Sequence, residues 1–235
     1  MLENTVTTFV QSKEGRKLSS RRVLFHLPER LFGYSTYSKE VLQTKLSPIS
    51  VALCPTPFCV RNCLFCSNHN RNKENIAQKN EIAPKKFIRL INDLSCLDVK
   101  GVTIAGGGDP LAYKGLVIDG LILGKNLSFK IGLHTNGVLL DEDVAEKILA
   151  SGNLAYVNIS VVAHTSKLYK KICGYREQFY KVENNIIEAI KIKSLVKSDA
   201  LVGVKILLCR ENFEFFDDIF SYKMLDMRFA IYRRS

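Results

Sequence analysis

No apolar run in the chain is long enough to span a bilayer, and its first residues, Met1-Leu2-Glu3-Asn4-Thr5, lack the basic-then-apolar pattern of a secretory signal. These absences argue against a helical membrane protein and a signal-directed secreted one, so the expected compartment is the cytoplasm. A disulfide framework is missing as well. Seven cysteines stand at positions 54, 59, 63, 66, 96, 173 and 209, an odd number with three clustered, which fits a reducing compartment and metal ligation. No residue stands out as a general acid or base. Basic clusters occur at 13–22, 167–171 and 228–234, and none is interleaved with aromatics as in a known nucleic-acid module. The formal charge of +11 still leaves an acidic partner, nucleic acid included, open.

What is present is an ordinary globular composition, 46% hydrophobic and 24% charged, in 235 residues, enough to bury one full domain core. The chain is organised around Cys59-Val60-Arg61-Asn62-Cys63-Leu64-Phe65-Cys66, three thiols spaced Cys-x3-Cys-x2-Cys in one loop. Thiolates favour zinc or iron–sulfur clusters, and a structural zinc cage or an electron-transfer cluster normally takes four. Three close ligands leave one coordination position for a cofactor or substrate, which argues for chemistry. The alternative is a structural metal whose fourth ligand is Cys54, His69 or another residue. Cys96 and Cys173, isolated in the sequence, read as small packing residues.

Residues 1–47 read as an N-terminal extension, with one short strand or helix around 21–28 and His26 a partly buried side chain. From Pro48 strands alternate with helices. The first strand is 49–54, and 68–80, rich in asparagine, is loop. A helix from Pro84 carries Phe87, Leu90, Ile91, Leu94 and Leu97 as its core face. Strand 101–105 runs into Gly106-Gly107-Gly108-Asp109-Pro110, where glycines permit close backbone approach. A helix with apolar residues at Leu116, Val117, Leu121 and Ile122 precedes strand 128–134 and Thr135-Asn136-Gly137. Asn136 before glycine suits a turn on local grounds, and His134 reads as a hydrogen-bonding residue at the strand end. Helix 141–150, strand 155–161, a helical stripe of Phe179, Val182, Ile186 and Ile190, strand 200–208, helix 213–220 and strand 227–232 complete the pattern.

The cysteine triplet, with an aromatic residue before the last cysteine, resembles the radical S-adenosylmethionine (SAM) enzymes. The glycine run after strand two, Thr-Asn-Gly after strand three and Ser160 closing strand four also resemble that family, over residues 49–232. The resemblance implies an α/β fold, the incomplete (β/α)6 parallel barrel, in a core domain over 48–235. It implies that Cys59, Cys63 and Cys66 hold a [4Fe–4S] cluster and that SAM chelates the fourth iron. Phe65 would meet the adenine through its backbone, Gly106, Gly107, Gly108 and Asp109 the SAM amino group, and Asn136 the pocket. The family usually has glutamate where this chain has Asp109. Ser160 with a downstream cation, Lys171 or Lys170, would hold the SAM carboxylate, and Val204 and Ile206 lie near the adenine by position.

The implied reaction is reductive SAM cleavage to a 5′-deoxyadenosyl radical, fed by a flavodoxin- or ferredoxin-like electron donor, with hydrogen abstraction from a substrate. The segment after strand four is similar to that of the branch that modifies peptides and proteins. Such members usually carry a C-terminal cysteine-rich domain, so an end at Ser235 and an open sixth-strand edge imply truncation or a covering partner. The rival from another class is a non-enzymatic iron–sulfur or zinc protein in which Cys54 completes the shell and the basic surface binds nucleic acid or another acidic partner.

Overall fold

A computed structural model describes residues 48–67, 81–97, 99–221 and 228–233, with side chains described up to Ile219. The expected extension over 1–47, with His26, and the expected loop over 68–80, with His69, lie outside the described residues.

Among the described residues six strands form one sheet: β1 Ser50–Leu53, β2 Gly101–Ile104, β3 Lys130–Thr135, β4 Leu154–Val161, β5 Leu201–Leu208 and β6 Arg228–Arg233. They pair in sequence order, and every pairing is parallel. Sequential order without reversal, joined by crossovers of one hand, puts all the helices on one face and leaves the other to curl inward. That is the open α/β barrel expected from the sequence.

The helices are α1 Pro84–Cys96, α2 Lys114–Gly124, α3 Glu142–Ala150, α4 Ser166–Cys173, α5 Gln178–Leu195 and α6 Phe216–Ser221. Pro84 opens α1, where its missing N–H has no partner to lose. Asp141 caps α3 by accepting from Val144 N at 3.0 Å, and Thr165 Oγ1 caps α4 by accepting from Leu168 N at 3.3 Å. Gly174, at φ +91, ends α4 in the left-handed conformation that glycine adopts freely.

Strand alternation divides the side chains. Val102, Ile104, Ile131, Leu133, Val157, Ile159, Val202, Val204 and Ile206 belong to the core, with Phe87, Ile91, Leu121, Ile148 and Ile186 from the helices. The intervening residues face the concave side: Thr103, Gly132, His134, Tyr156, Asn158, Ser160, Gly203 and Lys205. Val204 and Ile206 are thus 1% and 0% exposed among core side chains, and the half-buried Lys205 between them faces inward instead.

Two apolar expectations need correction. Leu97, expected in the core, ends α1 and is 47% exposed. Cys96 is exposed, so it is not a packing residue, whereas Cys173 is fully buried. The helix expected over 213–220 divides into a 3-10 turn, Phe213–Phe215, and α6.

Inside the barrel Tyr156 lies across β3. A Cβ on Gly132 would come within 2.2 Å of its ring, so glycine makes room for the phenol. The hydroxyl reaches Thr103 Oγ1 at 3.2 Å and His134 Nε2 at 3.5 Å, which makes His134 the hydrogen-bonding residue expected of it.

Candidate functional site

The loop after β1 carries the three thiols and is fixed from several sides. Thr56, 1% exposed, donates from Oγ1 to Glu81 Oε1 at 3.0 Å and accepts from Phe58 N at 3.1 Å. The glycine run after β2 then closes against it. Gly108 N donates to Thr56 O at 3.0 Å, and Asp109 N donates to Phe58 O at 2.8 Å. A Cβ on Gly108 would lie 1.9 Å from Phe58 O, so only glycine permits this approach of two backbones.

Asp109 locks the second and third strand ends together. Its carboxylate accepts from Leu111 N at 2.9 Å, from Thr135 Oγ1 at 3.0 Å to each oxygen, and from Asn136 N at 2.5 Å. The group is 2% exposed, and its burial pushes the carboxyl upward against these donors and the Arg61 charge. Both oxygens are occupied within the chain.

Asn136 is 8% exposed, and its side chain works in two directions. Oδ1 accepts from Val138 N at 2.9 Å, and Nδ2 donates to Cys59 Sγ at 3.4 Å. Arg61 N also donates to Cys59 Sγ, at 3.5 Å. Burial nonetheless pushes the Cys59 thiol up to about 11, the two donors opposing it. Asn136 therefore forms the turn and also reaches the cysteine loop.

Arg61 is the residue that sequence reasoning missed. An arginine between cysteines ordinarily reads as solvated, yet this one is 4% exposed. It donates from Nη2 to Asn136 O at 2.5 Å and from Nη1 to Ser160 O at 3.3 Å, and it stacks 5.0 Å from the centroid of Tyr169. Its partners lie 75 and 99 residues away along the chain, so no local pattern could announce it. The cysteine loop, the glycine run, the Thr-Asn-Gly turn and the end of β4 thus meet at one mouth on the carboxyl side of the sheet.

Beyond the loop, Ser160 lines an apolar cleft with Ala163, Tyr169, Phe179, Val182 and Glu183, about 270 Å³ of empty space partly open to solvent. Phe65 is half-buried against the small apolar cluster that α4 and the end of β4 build. Lys170 and Lys171 occupy the last turn of α4 and are exposed. Lys205 is the register partner of Ser160 on the concave face. Cys54 is exposed at the end of β1.

Cys59, Cys63 and Cys66 are half-buried thiols outside any disulfide. Among the described residues, no three His, Cys, Asp or Glu side chains close on one point as a single metal ion requires. A four-iron cluster makes a different demand, with its thiolates distributed over separate irons, and three soft donors along one loop edge fit it. N–H donors aimed at Cys59 Sγ suit a ligating thiolate as well. Cys63 Sγ sits 3.6 Å from Cys173 Sγ. That hydrogen bond and then burial push the Cys63 thiol upward, while Cys173 is lowered by the same bond.

No described helix is long and apolar enough to cross a membrane. The family profile of the Radical SAM superfamily matches residues 53–214. Two curated relatives bear the name probable GTP 3′,8-cyclase. The one from Methanococcus aeolicus is 30% identical over 69% of this chain and 56% of its own length, and the one from Thermococcus kodakarensis 31% identical over 63% and 45%. The chain thus spans about half the length of these relatives. Among solved structures, AdoMet-bound anSMEcpe superposes with a TM-score of 0.61 at 18% identity, covering 79% of this chain and 50% of that one. HydG, the FeFe-hydrogenase maturase from Carboxydothermus hydrogenoformans, superposes with a TM-score of 0.54 at 13% identity, covering 99% and 62%. At those identities the likeness speaks to fold.

Proposed function

This chain belongs to the radical SAM superfamily, and from that premise we propose that it binds SAM beside a [4Fe–4S] cluster and directs both against a carbon–hydrogen bond of a substrate. The family consists of enzymes that use these two cofactors. When bound, they supply one-electron cleavage of the sulfonium and a 5′-deoxyadenosyl radical that abstracts hydrogen, chemistry that belongs to the cofactors.

In this reading Cys59, Cys63 and Cys66 ligate the cluster. Gly106, Gly107 and Gly108 bring backbone close to the SAM amino group, Phe65 presents its backbone to the adenine, and Asn136 and Ser160 complete the wall. Asp109 is a positioning residue, because its oxygens already hold Thr135 and Asn136. For the SAM carboxylate, the register of Lys205 beside Ser160 supports it as the cation, with Lys171 the alternative that the family likeness implies. A flavodoxin- or ferredoxin-like protein supplies the electron. The observation that carries this reading is the convergence of four motifs on one mouth, pinned by Arg61 and Asp109.

For the substrate, sequence kinship outweighs likeness of fold, since one fold hosts many reactions. The relatives at 30% and 31% identity are named for GTP. A nucleoside triphosphate is therefore the first class to test. A peptide is the second, because one structural neighbour holds a peptide beside AdoMet.

Anaerobic reconstitution with iron and sulfide should give a brown protein whose reduced cluster spectrum changes on adding SAM, with 5′-deoxyadenosine formed under dithionite. Substituting Cys54→Ala should leave the cluster intact. A colourless zinc protein indifferent to SAM would defeat the assignment.

A further inference from the structure

We propose that Cys63 and Cys173 form an oxidative modification site, a reversible disulfide that removes Cys63 from the cluster loop whenever the cluster is absent. The proposal rests on the assignment of Cys63 as a cluster ligand. Its geometric basis is independent of that assignment.

The two thiols lie 3.6 Å apart although 110 residues separate them in sequence. Backbone holds them there. Asn62 N donates to Cys173 O at 3.3 Å and Leu64 N donates to Ile172 O at 3.0 Å, so the residues flanking Cys63 are bonded to the last turn of α4. A disulfide requires sulfurs about 2.0 Å apart, an approach that side-chain rotation can supply once the backbones are in register. The thiols also differ in access. Cys63 is half-buried and can meet a small oxidant, whereas Cys173 is 0% exposed among Val162, Leu168, Tyr169 and Phe179. An accessible thiol beside a sheltered one is the arrangement in which the first is oxidised and the second resolves it.

With hydrogen peroxide as oxidant the step balances. Cys63 sulfur attacks one peroxide oxygen, the O–O bond breaks, and water leaves with the thiol proton. Cys173 sulfur then attacks the sulfenic sulfur, the S–O bond breaks, and the hydroxyl departs with the second thiol proton as another water. Two thiols are oxidised by two electrons and the peroxide is reduced to two waters. A dithiol reverses the bond by exchange. An occupied cluster would hold Cys63 as a ligand and withhold it from this reaction.

The test uses the full chain, freed of metal, reduced, and given one equivalent of hydrogen peroxide without air. It is then alkylated, digested without reductant and mapped by mass spectrometry. The expected product joins the peptides of Cys63 and Cys173, about 2 Da lighter than the free pair. Two of the seven thiols are lost, and dithiothreitol restores them. The oxidised chain takes up no iron and sulfide until dithiothreitol is added. In the Cys173→Ser variant the linked peptide is absent and dimedone traps Cys63. Survival of all wild-type thiols, or a dominant link from Cys63 to Cys59 or Cys66, overturns the proposal. A Cys63–Cys173 link with undiminished iron uptake overturns the ligand role of Cys63 and the competition, leaving only the bond.

Discussion

Asn136 Nδ2 stands 3.4 Å from Cys59 Sγ, so the turn after β3 donates to a thiol in the loop after β1. The backbone N–H of the same asparagine is held by Asp109. The position of a proposed cluster ligand therefore depends on a carboxylate that need not touch any cofactor. This coupling makes the site testable through stability as well as activity.

Asp109→Ala should leave the N–H groups of Leu111 and Asn136 and the hydroxyl of Thr135 without their acceptor. Donors orphaned in a buried site cost about 1–3 kcal/mol each at most, so a net loss of about 2–4 kcal/mol in urea denaturation is expected. Asp109→Asn keeps an acceptor oxygen and should lose less. Equal stability of the wild type and the alanine variant would show that the lock carries no weight.

Arg61→Ala removes a buried charge together with its bonds to Asn136 O and Ser160 O and its contact with Tyr169. The expected destabilisation is about 3 kcal/mol, and Arg61→Lys should recover only part of it, because an ammonium cannot reproduce the planar fork. The check is the denaturation midpoint of the cluster-free chain, with iron content after reconstitution as a second readout.

Burial raises the Cys59 thiol to about 11, so Cys59 is neutral at ordinary pH and its thiolate fraction grows tenfold per pH unit below that value. Alkylation of Cys59 in the reduced, cluster-free chain should therefore climb with pH towards about 11. Asn136→Ala deletes a donor to the sulfur and should shift this curve to higher pH. A plateau of the wild-type curve near pH 8.5, the ordinary free-thiol range, would contradict the burial argument.

Lys205→Ala should weaken SAM binding to the reconstituted protein by about tenfold, the scale of one lost charge-assisted hydrogen bond. Lys171→Ala should leave it unchanged. Equilibrium dialysis under anaerobic conditions separates the two, and the reverse order would restore Lys171 to the role that the family likeness implied.

The strand and helix order was legible because each element carries its own period and punctuation, as Pro84, Asp141 and Gly174 do at helix ends. The cysteine triplet was legible because its ligands are adjacent in sequence. Arg61 was not, since a buried cation is recognised by distant carbonyls and not by its neighbours. Cys173 read correctly as a buried side chain, but nothing local tied it to Cys63, whose proximity arises only when α4 docks on the loop. Val204 and Ile206 show a related limit. Choosing which residues of β5 face inward requires the strand's phase, and a continuous apolar run hides it.

The phenol of Tyr156, spread over Gly132 and tethered to Thr103, floors the bowl well below its rim. Shaving the tyrosine to alanine would open space at that floor without touching the cysteine loop.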